Sequence, residues 1–185
     1  MRIIAGKYRS IPLVTLDGET TRPSSDRLKE AMFSSLGGFV YGQSWLDAYG
    51  GSGAVGLEAY SRGAEYVLIN DASKKAVDII LQNIRKCKVE SGVEVSHRDA
   101  YQCYEYAKQK QLTFDTIFLD PPYHLDVMPD IDTIVNLKLL KEEGMLVVET
   151  AARTVLPESI GLLSKVKEKK YGIARVSYYR KKVQE

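Results

Sequence analysis

The feature of this sequence that most constrains its fold is an alternation, between residues 44 and 149, of short apolar segments with helical patterns. The apolar segments predict strands at 44–48, 65–70, 93–97, 116–119 and 145–149. The segments between them predict helices at 54–62, 74–86, 100–110 and 130–141. Continuously apolar strands that alternate with helices are typical of a parallel sheet covered on both faces. The sequence therefore predicts an α/β fold.

The two ends of the chain depart from this alternation. Residues 1–16 alternate weakly and contain Gly6 and Pro12, which predicts a β-hairpin or a pair of edge strands. A helix is expected next, with Ser24 as its N-cap. After residue 160 the pattern predicts two antiparallel strands, near 164–171 and 174–181. The total length of 185 residues suits one domain.

Composition excludes several classes of protein. Hydrophobic residues make up 44% of the chain and charged residues 27%, which is typical of a globular domain and not of a disordered one. The two cysteines, Cys87 and Cys103, cannot form a disulfide framework and lack zinc-ligand spacing. No apolar run is long enough to span a membrane, and the first residues lack a signal-peptide core. We therefore expect a cytoplasmic protein with no membrane partner and no metal.

Basic residues are concentrated at the two ends of the chain. Residues 1–16 carry three basic side chains and no acidic one, and residues 161–185 carry eight basic and two acidic side chains. Because the ends contribute +3 and +6 to a total of +2, the residues between them carry −7. This asymmetry fits a surface that binds a polyanion, but a solvated lysine face would give the same pattern.

Four successive predicted strands end in a carboxylate. In open parallel sheets, ligands bind outside the carboxyl ends of the strands. The acidic residues at these ends are Asp47, Asp71, Asp99 and Asp120. One or two of them could be helix caps. Four of them, together with a glycine loop and a Pro-Pro-aromatic turn, predict a functional site at this edge.

The glycine loop follows the first of these strands. Its sequence, Gly51-Ser52-Gly53-Ala54-Val55-Gly56, matches the dinucleotide-binding pattern, and Asp71 lies 20 residues after Gly51, the spacing of a ribose-binding acid. Taken alone, this would suggest NAD. Asp47 argues against NAD, because a pyrophosphate on the loop would lie beside an uncompensated negative charge.

S-adenosylmethionine fits the same loop better, because it has no phosphate and carries an ammonium and a sulfonium. Asp47 would attract these cations, and the backbone of Gly51, Ser52 and Gly53 would allow close approach. Asp71, with the adjacent Ala72, would accept from the ribose hydroxyls. At the next strand end, Asp99 and Ala100 would hold the adenine amine.

The fourth predicted strand runs into Asp120-Pro121-Pro122-Tyr123. The two prolines stiffen this turn and remove two N–H donors, so that it presents the Asp120 carboxylate and the Pro121 carbonyl as acceptors. These two acceptors could bind both hydrogens of an exocyclic base amine and direct its lone pair at a sulfonium methyl. Tyr123 offers a face on which an unpaired base could stack. The sequence therefore predicts amino-methyl transfer.

These segments together resemble the bacterial 16S ribosomal RNA guanine-N2 methyltransferases of the small-subunit methyltransferase D type. The resemblance spans nearly the whole chain and rests on residues 2–9, 21–33, 46–59, 61–64 and 120–123. The glycine loop and the Asp-Pro-Pro-Tyr motif are shared by many amino-methyltransferases. The Thr21-Arg22-Pro23 segment combined with the N-terminal stretch is much more specific.

The resemblance implies a class I S-adenosylmethionine-dependent methyltransferase fold, Rossmann-like, with a seven-stranded and mostly parallel sheet. Residues 1–20 would form an N-terminal β-hairpin extension that helps to hold RNA, and residues 21–185 the methyltransferase domain. The methyl donor would be S-adenosylmethionine. The target would be the N2 amine of one guanine in the 16S rRNA of an assembling small ribosomal subunit.

The resemblance also implies roles for individual residues. The chemistry would be carried by Asp120, Pro121, Pro122 and Tyr123. The donor would contact Asp47, Gly51, Ser52, Gly53, Asp71, Ala72, Asp99 and Ala100. Contacts with the RNA would come from Arg2, Lys7, Arg9, Arg22 and Tyr123.

This chain departs from the family pattern at three places. Arg9-Ser10-Ile11 stands where the family usually has Arg-Gly-Arg, which would weaken phosphate contacts by the hairpin. The glycine loop begins Ala48-Tyr49-Gly50-Gly51 in place of Leu-Phe-Ala-Gly, and Asp71 replaces a frequent Glu. The last two changes are chemically conservative.

Three other functions remain open from the sequence. The same chemistry could act on adenine-N6 in DNA or RNA, or on a glutamine amide, although those enzymes usually have Asn before Pro-Pro. An NAD-dependent oxidoreductase is opposed by Asp47 and by the lack of an obvious hydride-transfer site. A non-catalytic RNA-binding scaffold is opposed by intact Asp47 and Asp120.

Overall fold

An eight-stranded sheet forms the centre of the computed structural model, which describes residues 1–16 and 23–184. Its strands are β1 (Ser44–Asp47), β2 (Tyr66–Asp71), β3 (Val93–His97), β4 (Phe114–Leu119), β5 (Leu140–Ala151), β6 (Ser159–Ile160), β7 (Leu163–Tyr171) and β8 (Ala174–Lys181). The helices are α1 (Pro23–Ser35), α2 (Ala54–Ser61), α3 (Lys74–Cys87), α4 (Ala100–Gln109) and α5 (Met128–Asn136).

The strand order across the sheet is β3-β2-β1-β4-β5-β8-β7-β6. The first five strands in this order are parallel, and β8, β7 and β6 continue the sheet in antiparallel pairs. The chain reverses its direction of winding between β1 and β4, which places β1 and β4 side by side at the centre. Such a switch point creates a crevice at the carboxyl ends of the two strands.

The predicted Rossmann-like architecture is confirmed, with one correction to the strand count. The seven expected strands are present, and the two-residue strand β6 pairs with β7 as an eighth. Two residues add little pairing, so β6 extends the antiparallel edge without changing the order of the other strands.

The strands of the sheet carry apolar side chains on both faces, so that an apolar core packs against each face. Successive β1 residues illustrate this: Trp45 packs with Phe33 of α1 on one face, and Leu46 with Tyr104 of α4 on the other. Helices α1, α2 and α3 cover the first face, and α4 and α5 the second. Among the described residues, no helix has the length and apolar character that a membrane span requires.

Two predicted helix boundaries are wrong. Helix α1 already includes Pro23 and Ser24, so Ser24 is not the N-cap. The helix predicted at 130–141 ends at Asn136, because Lys138 adopts a left-handed conformation with φ 55° and the chain enters β5 at Leu140.

The N-terminal segment, defined here as residues 1–16, follows a hairpin-shaped path but does not form the predicted pair of strands. A single antiparallel bridge joins Arg2 to Pro12. The segment packs its apolar side chains into the core beside α1 and α2, through Ile3, Tyr8 and Leu13. The N–H groups of Ile4 and Ala5 donate to the Glu58 carboxylate of α2. Other N–H groups of the segment donate to carbonyls within it, so its backbone is satisfied partly by itself and partly by α2.

A buried cluster of charges anchors this segment. Glu58 is fully buried and pairs with Arg62 at 2.8 Å and with Lys29 at 3.3 Å. The ammonium group of Lys29 also donates to the Arg2 carbonyl at 2.5 Å. The cluster joins α1, α2 and the N-terminal segment into one packed unit.

Candidate active site

The glycine loop lies between the end of β1 and the start of α2, as the sequence predicted. Gly53 has φ 83°, a left-handed conformation that a side chain would strain, and its N–H closes the turn on the Gly50 carbonyl at 2.8 Å. A Cβ at Gly50 would lie 2.6 Å from the Ile69 side chain, so this position has room for glycine only. The loop therefore presents backbone, not side chains, at the crevice.

Asp47 lies beneath the loop at the end of β1 and is only 1% exposed. Its Oδ2 accepts from the Gly56 N–H at 3.1 Å, while its Oδ1 is buried and has no hydrogen-bond partner. Burial raises the pKa of Asp47 to about 7, and the nearby Asp71 contributes in the same direction. A buried oxygen without a partner is costly, so a cation above the loop would be stabilised by this carboxylate.

Asp71 lies at the end of β2 and supports the loop directly. Its Oδ2 accepts from the Gly51 N–H and its Oδ1 from the Ser73 N–H, both at 2.9 Å. The adjacent Ala72 is exposed, and its carbonyl accepts from Nε2 of His97 at 3.1 Å. Asp71 therefore holds the loop in place at the crevice. A ribose hydroxyl could still donate to its carboxylate, because each oxygen can accept a second hydrogen bond.

Asp99 lies at the end of β3 and is the N-cap of α4. Its Oδ1 accepts from the Gln102 N–H at 2.8 Å, and the Gln102 side chain accepts in return from the Asp99 N–H. The carboxylate is exposed beside Ala100, at the same edge as the glycine loop. This capping role is the simpler reason for an acid at this strand end, and the adenine contact remains a prediction.

The Asp-Pro-Pro-Tyr turn follows β4 and adjoins the glycine loop. Strands β1 and β4 are paired, and the Ala48 N–H donates to the Phe118 carbonyl at 3.2 Å. Pro121 is buried, whereas Tyr123 is 40% exposed. The structure therefore brings the predicted donor loop and the predicted catalytic turn together at the switch point.

Glu149, at the end of β5, is a site residue that the sequence analysis missed. Its Oε1 accepts from the Tyr123 hydroxyl at 3.4 Å, and burial raises the pKa of its carboxyl. The rule that identified four strand-end acids would have found it if it had been applied to the fifth strand. A cleft beside the turn is lined by Pro121, Pro122, Tyr123, Leu125, Asp126, Val127, Glu149, Thr150, Thr154 and Leu156.

A second missed feature ties the glycine loop to helix α5. Asp130 is buried at the start of this helix and accepts from the hydroxyls of Tyr49 at 2.8 Å and Tyr104 at 2.6 Å. Burial, with the hydrogen bond to Asp130, raises the pKa of Tyr49, so its hydroxyl remains a donor. The departure from phenylalanine at position 49 thus connects the residues just before the glycine loop with the helix that follows the Asp-Pro-Pro-Tyr turn.

The predicted RNA contacts of the N-terminal segment lie at two places, with Arg2 beside α1 and with Lys7 and Arg9 in one turn near the end of α2. Arg2 is exposed beside the first turn of α1, where its N–H donates to Asp26 at 3.4 Å. Lys7 lies at the far end of α2, where its N–H donates to the Ser61 carbonyl at 2.8 Å. Arg9 is exposed in the adjacent turn, and Arg22 lies outside the described residues.

The basic residues of the C-terminal strands lie at two opposite edges of the sheet, each formed by strand ends. Lys169 of β7 lies opposite Val176 of β8, and Val176 lies opposite Glu149 of β5. Lys169 and the exposed Lys170 are therefore at the same edge of the sheet as the site. Lys182 follows the opposite end of β8. The ammonium group of Lys181, also at that end, donates to the Leu140 carbonyl at 2.8 Å. Of these four lysines, Lys169 and Lys170 lie at the edge of the sheet that carries the candidate site.

Comparisons with known proteins agree with this arrangement. The family described as Conserved hypothetical protein 95 matches residues 1–180. The ribosomal RNA small subunit methyltransferase D of Haemophilus influenzae is 34% identical over 184 residues, covering 97% of this chain and 93% of that protein. A hypothetical protein of Thermus thermophilus has a structure with TM-score 0.81 and 26% identity, covering 99% of both chains. The structure of SMU.776, complexed with SAH, has TM-score 0.69 and 15% identity over 85% of this chain and 49% of that chain, a likeness of fold alone.

The strand order, the glycine loop after β1 and these neighbours define a class I S-adenosylmethionine-dependent methyltransferase fold. The chain belongs to the family described as Conserved hypothetical protein 95, the small-subunit methyltransferase D type, as its sequence resemblance indicated. It is therefore a methyltransferase.

Proposed function

We propose that this protein transfers a methyl group from S-adenosylmethionine to the exocyclic N2 amine of a guanine in the 16S rRNA of an assembling small ribosomal subunit. The observation that carries the proposal is the pairing of β1 with β4, which places the glycine loop beside Asp120-Pro121-Pro122-Tyr123. The name of the Haemophilus influenzae relative supports ribosomal RNA as the substrate.

The residues of the loop fit the proposed donor. The unpartnered Oδ1 of Asp47 leaves a negative charge beneath the loop, which favours a ligand with positive groups and disfavours a pyrophosphate. The backbone of Gly51, Ser52 and Gly53 would lie against the methionine part, and Asp71 beside the ribose. When bound, the donor supplies an electrophilic methyl group on a sulfonium.

The turn would orient the acceptor amine. The Asp120 carboxylate and the Pro121 carbonyl would accept the two amine hydrogens, while the base stacks on Tyr123. The amine lone pair is delocalised into the ring, so two acceptors that favour its rehybridisation would lower the barrier to attack. A guanine in this pocket must be unpaired or flipped out of a helix.

The proposal is tested by incubating the protein with labelled S-adenosylmethionine and small-subunit particles from cells that lack it. We expect stoichiometric labelling of 16S rRNA, and mass mapping that places the methyl group on guanine N2. Label on adenine N6, or on a protein glutamine, would contradict the proposed substrate and support the alternative amino-methyl transfer. Absence of any label would contradict the function.

Donor binding should depend on pH through Asp47. Because burial raises the pKa of this carboxyl to about 7, protonation below that pH removes the charge that attracts the donor. We expect the affinity for S-adenosylmethionine to rise from pH 6 to pH 8. Asp47→Asn should weaken binding at pH 8 by about tenfold and remove the pH dependence. Calorimetry at three pH values measures both effects.

The matched control for this variant is Asp78→Asn, which neutralises an exposed aspartate on α3 that pairs with Lys74. It should leave both the affinity and its pH dependence unchanged. An equal pH dependence in wild type and Asp47→Asn would contradict the role assigned to Asp47.

RNA association should depend on the lysines at the site edge of the sheet. We expect the double reversal Lys169→Glu/Lys170→Glu to weaken binding to small-subunit RNA by at least about tenfold and to make its salt dependence shallower. The control is Arg180→Glu/Lys182→Glu, which reverses two charges at the opposite edge. Filter binding at several salt concentrations measures both, and equal effects of the two variants would contradict a localised RNA surface.

A further inference from the structure

Tyr49 joins two elements that flank the candidate site. It follows β1, just before the glycine loop, and its hydroxyl donates at 2.8 Å to Oδ1 of Asp130, in the first turn of α5. Its ring packs against the apolar core on the second face of the sheet. This chain has tyrosine where the family usually has phenylalanine, so the hydroxyl and its contact are what the replacement adds.

Asp130 is a well-fixed partner for this hydroxyl. It is 4% exposed, and the hydroxyl of Tyr104 donates to the same oxygen at 2.6 Å. Tyr104 is fully buried in α4, so Asp130 is tied to a second helix as well as to its own. Burial, together with the charge of Asp130, raises the pKa of Tyr104, so this hydroxyl also remains a donor at neutral pH. Hydrogen bonds to a carboxylate in such a buried place are stronger than the same contacts in water.

The start of α5 is closely connected to the Asp-Pro-Pro-Tyr turn. Residues 124–127 link the two, and this link is hydrogen-bonded at both ends. The Leu125 N–H donates to the Pro122 carbonyl at 2.9 Å, and the Met128 N–H donates to Oδ1 of Asp126 at 3.0 Å. A displacement of the start of α5 would therefore displace the turn as well.

The glycine loop is held from its other side by β2. The Gly50 N–H donates to the Asn70 carbonyl at 2.7 Å, and the Gly51 N–H donates to Asp71 at 2.9 Å. These contacts hold the loop against one neighbour of β1, whereas the Asp-Pro-Pro-Tyr turn follows the other neighbour, β4. The Tyr49 hydroxyl adds a side-chain contact on the side of the turn.

We propose that Tyr49 is a positioning residue, whose hydrogen bond to Asp130 sets the separation between the glycine loop and the Asp120-Pro121-Pro122-Tyr123 turn. This inference rests on the proposed function for the identity of the donor and of the acceptor amine. A methyl group held at the loop and an amine held at the turn react only at short distance and in line. Loss of the contact would therefore slow transfer while both binding sites remain.

Tyr49→Phe and Tyr104→Phe form a matched pair for the test. Each removes one hydroxyl donor from the same Asp130 oxygen, but Tyr104 does not adjoin the glycine loop. In single-turnover transfer at saturating donor, Tyr49→Phe should lower the rate by about 5- to 20-fold, while donor affinity measured by calorimetry stays within about threefold. Tyr104→Phe leaves the Tyr49 contact in place, so its rate should remain within about twofold of wild type. A merely structural role would lower the midpoint of denaturant unfolding in both variants and leave the rate of the folded enzyme unchanged.

A second measurement does not depend on the substrate. Amide hydrogen exchange in the free protein reports how often the Gly50 and Gly51 N–H groups open. We expect these two groups to exchange about tenfold faster in Tyr49→Phe than in wild type, and at the wild-type rate in Tyr104→Phe. Unchanged exchange in Tyr49→Phe, an unchanged transfer rate in it, or equal effects of the two variants would overturn the inference. If wild type methylated no RNA, only the proposed function would fail, because the exchange rates decide the positioning role independently.

Discussion

Replacing Asp120 with alanine is expected to abolish methyl transfer, with a loss of at least about 1,000-fold in the single-turnover rate. The variant removes the acceptor that would hold one amine hydrogen and take up the released proton. The glycine loop follows the adjacent strand β1 and keeps its own supports, since Gly51 donates to Asp71 and Gly56 to Asp47. Calorimetry should therefore show donor affinity within about twofold of wild type.

Asp120→Asn is the matched variant for this experiment, because it keeps an acceptor oxygen of the same reach but loses the charge. We expect it to retain part of the activity, about 10- to 100-fold above Asp120→Ala. Turnover by Asp120→Ala at a rate close to wild type would show that the catalytic assignment is wrong. A large loss of donor affinity would show instead that Asp120 belongs to the donor site.

The second large effect concerns stability. Glu58→Ala is expected to lower the free energy of unfolding by about 3–5 kcal/mol, because it leaves the buried charges of Lys29 and Arg62 without their shared carboxylate. It also leaves the N–H groups of Ile4 and Ala5 without acceptors. Denaturant unfolding monitored by the single tryptophan measures the change.

Glu30→Ala is the control for this variant. Glu30 is 51% exposed and lies 3.7 Å from Arg62, so its removal should change the free energy of unfolding by no more than about 0.5 kcal/mol. A loss below about 1 kcal/mol in Glu58→Ala would contradict the view that the buried cluster anchors the N-terminal segment. In that variant we also expect faster proteolytic cleavage within residues 1–16.

The parallel half of the sheet could be predicted because the sequence patterns that specify it lie within short segments of the chain. Each strand is an apolar run that ends at a turn, and the helices between them have clear periodicity. The glycine loop is equally local, since a left-handed residue at Gly53 and the close packing around Gly50 both require glycine. The site follows from the rule that ligands bind at the carboxyl ends of such strands.

Features that depend on distant contacts could not be predicted in the same way. The N-terminal segment alternates as a hairpin would, but Glu58, more than 50 residues away, accepts from the N–H groups of Ile4 and Ala5. The contact of Tyr49 with Asp130 joins residues 81 positions apart. The contact of Glu149 with Tyr123 depends on β4 lying beside β5 in the sheet.

The departure from the family pattern at Ser10 has a structural consequence. Ser10 stands where the family usually has glycine, and it adopts φ 71°, a left-handed conformation that favours glycine. The turn of the N-terminal segment therefore holds Ser10 at some cost in backbone strain. The predicted loss of phosphate contacts from the neighbouring substitution, Ile11 for arginine, stays a prediction.

The most direct test of the account is a crystal structure of the protein soaked with S-adenosylmethionine. The account predicts the donor in the crevice above Gly51–Gly53, with its positive groups above Asp47 and its methyl group directed at the oxygen of Asp120. A crevice that stays empty at saturating donor, or a donor bound with its methyl group facing away from the Asp120-Pro121-Pro122-Tyr123 turn, would contradict it.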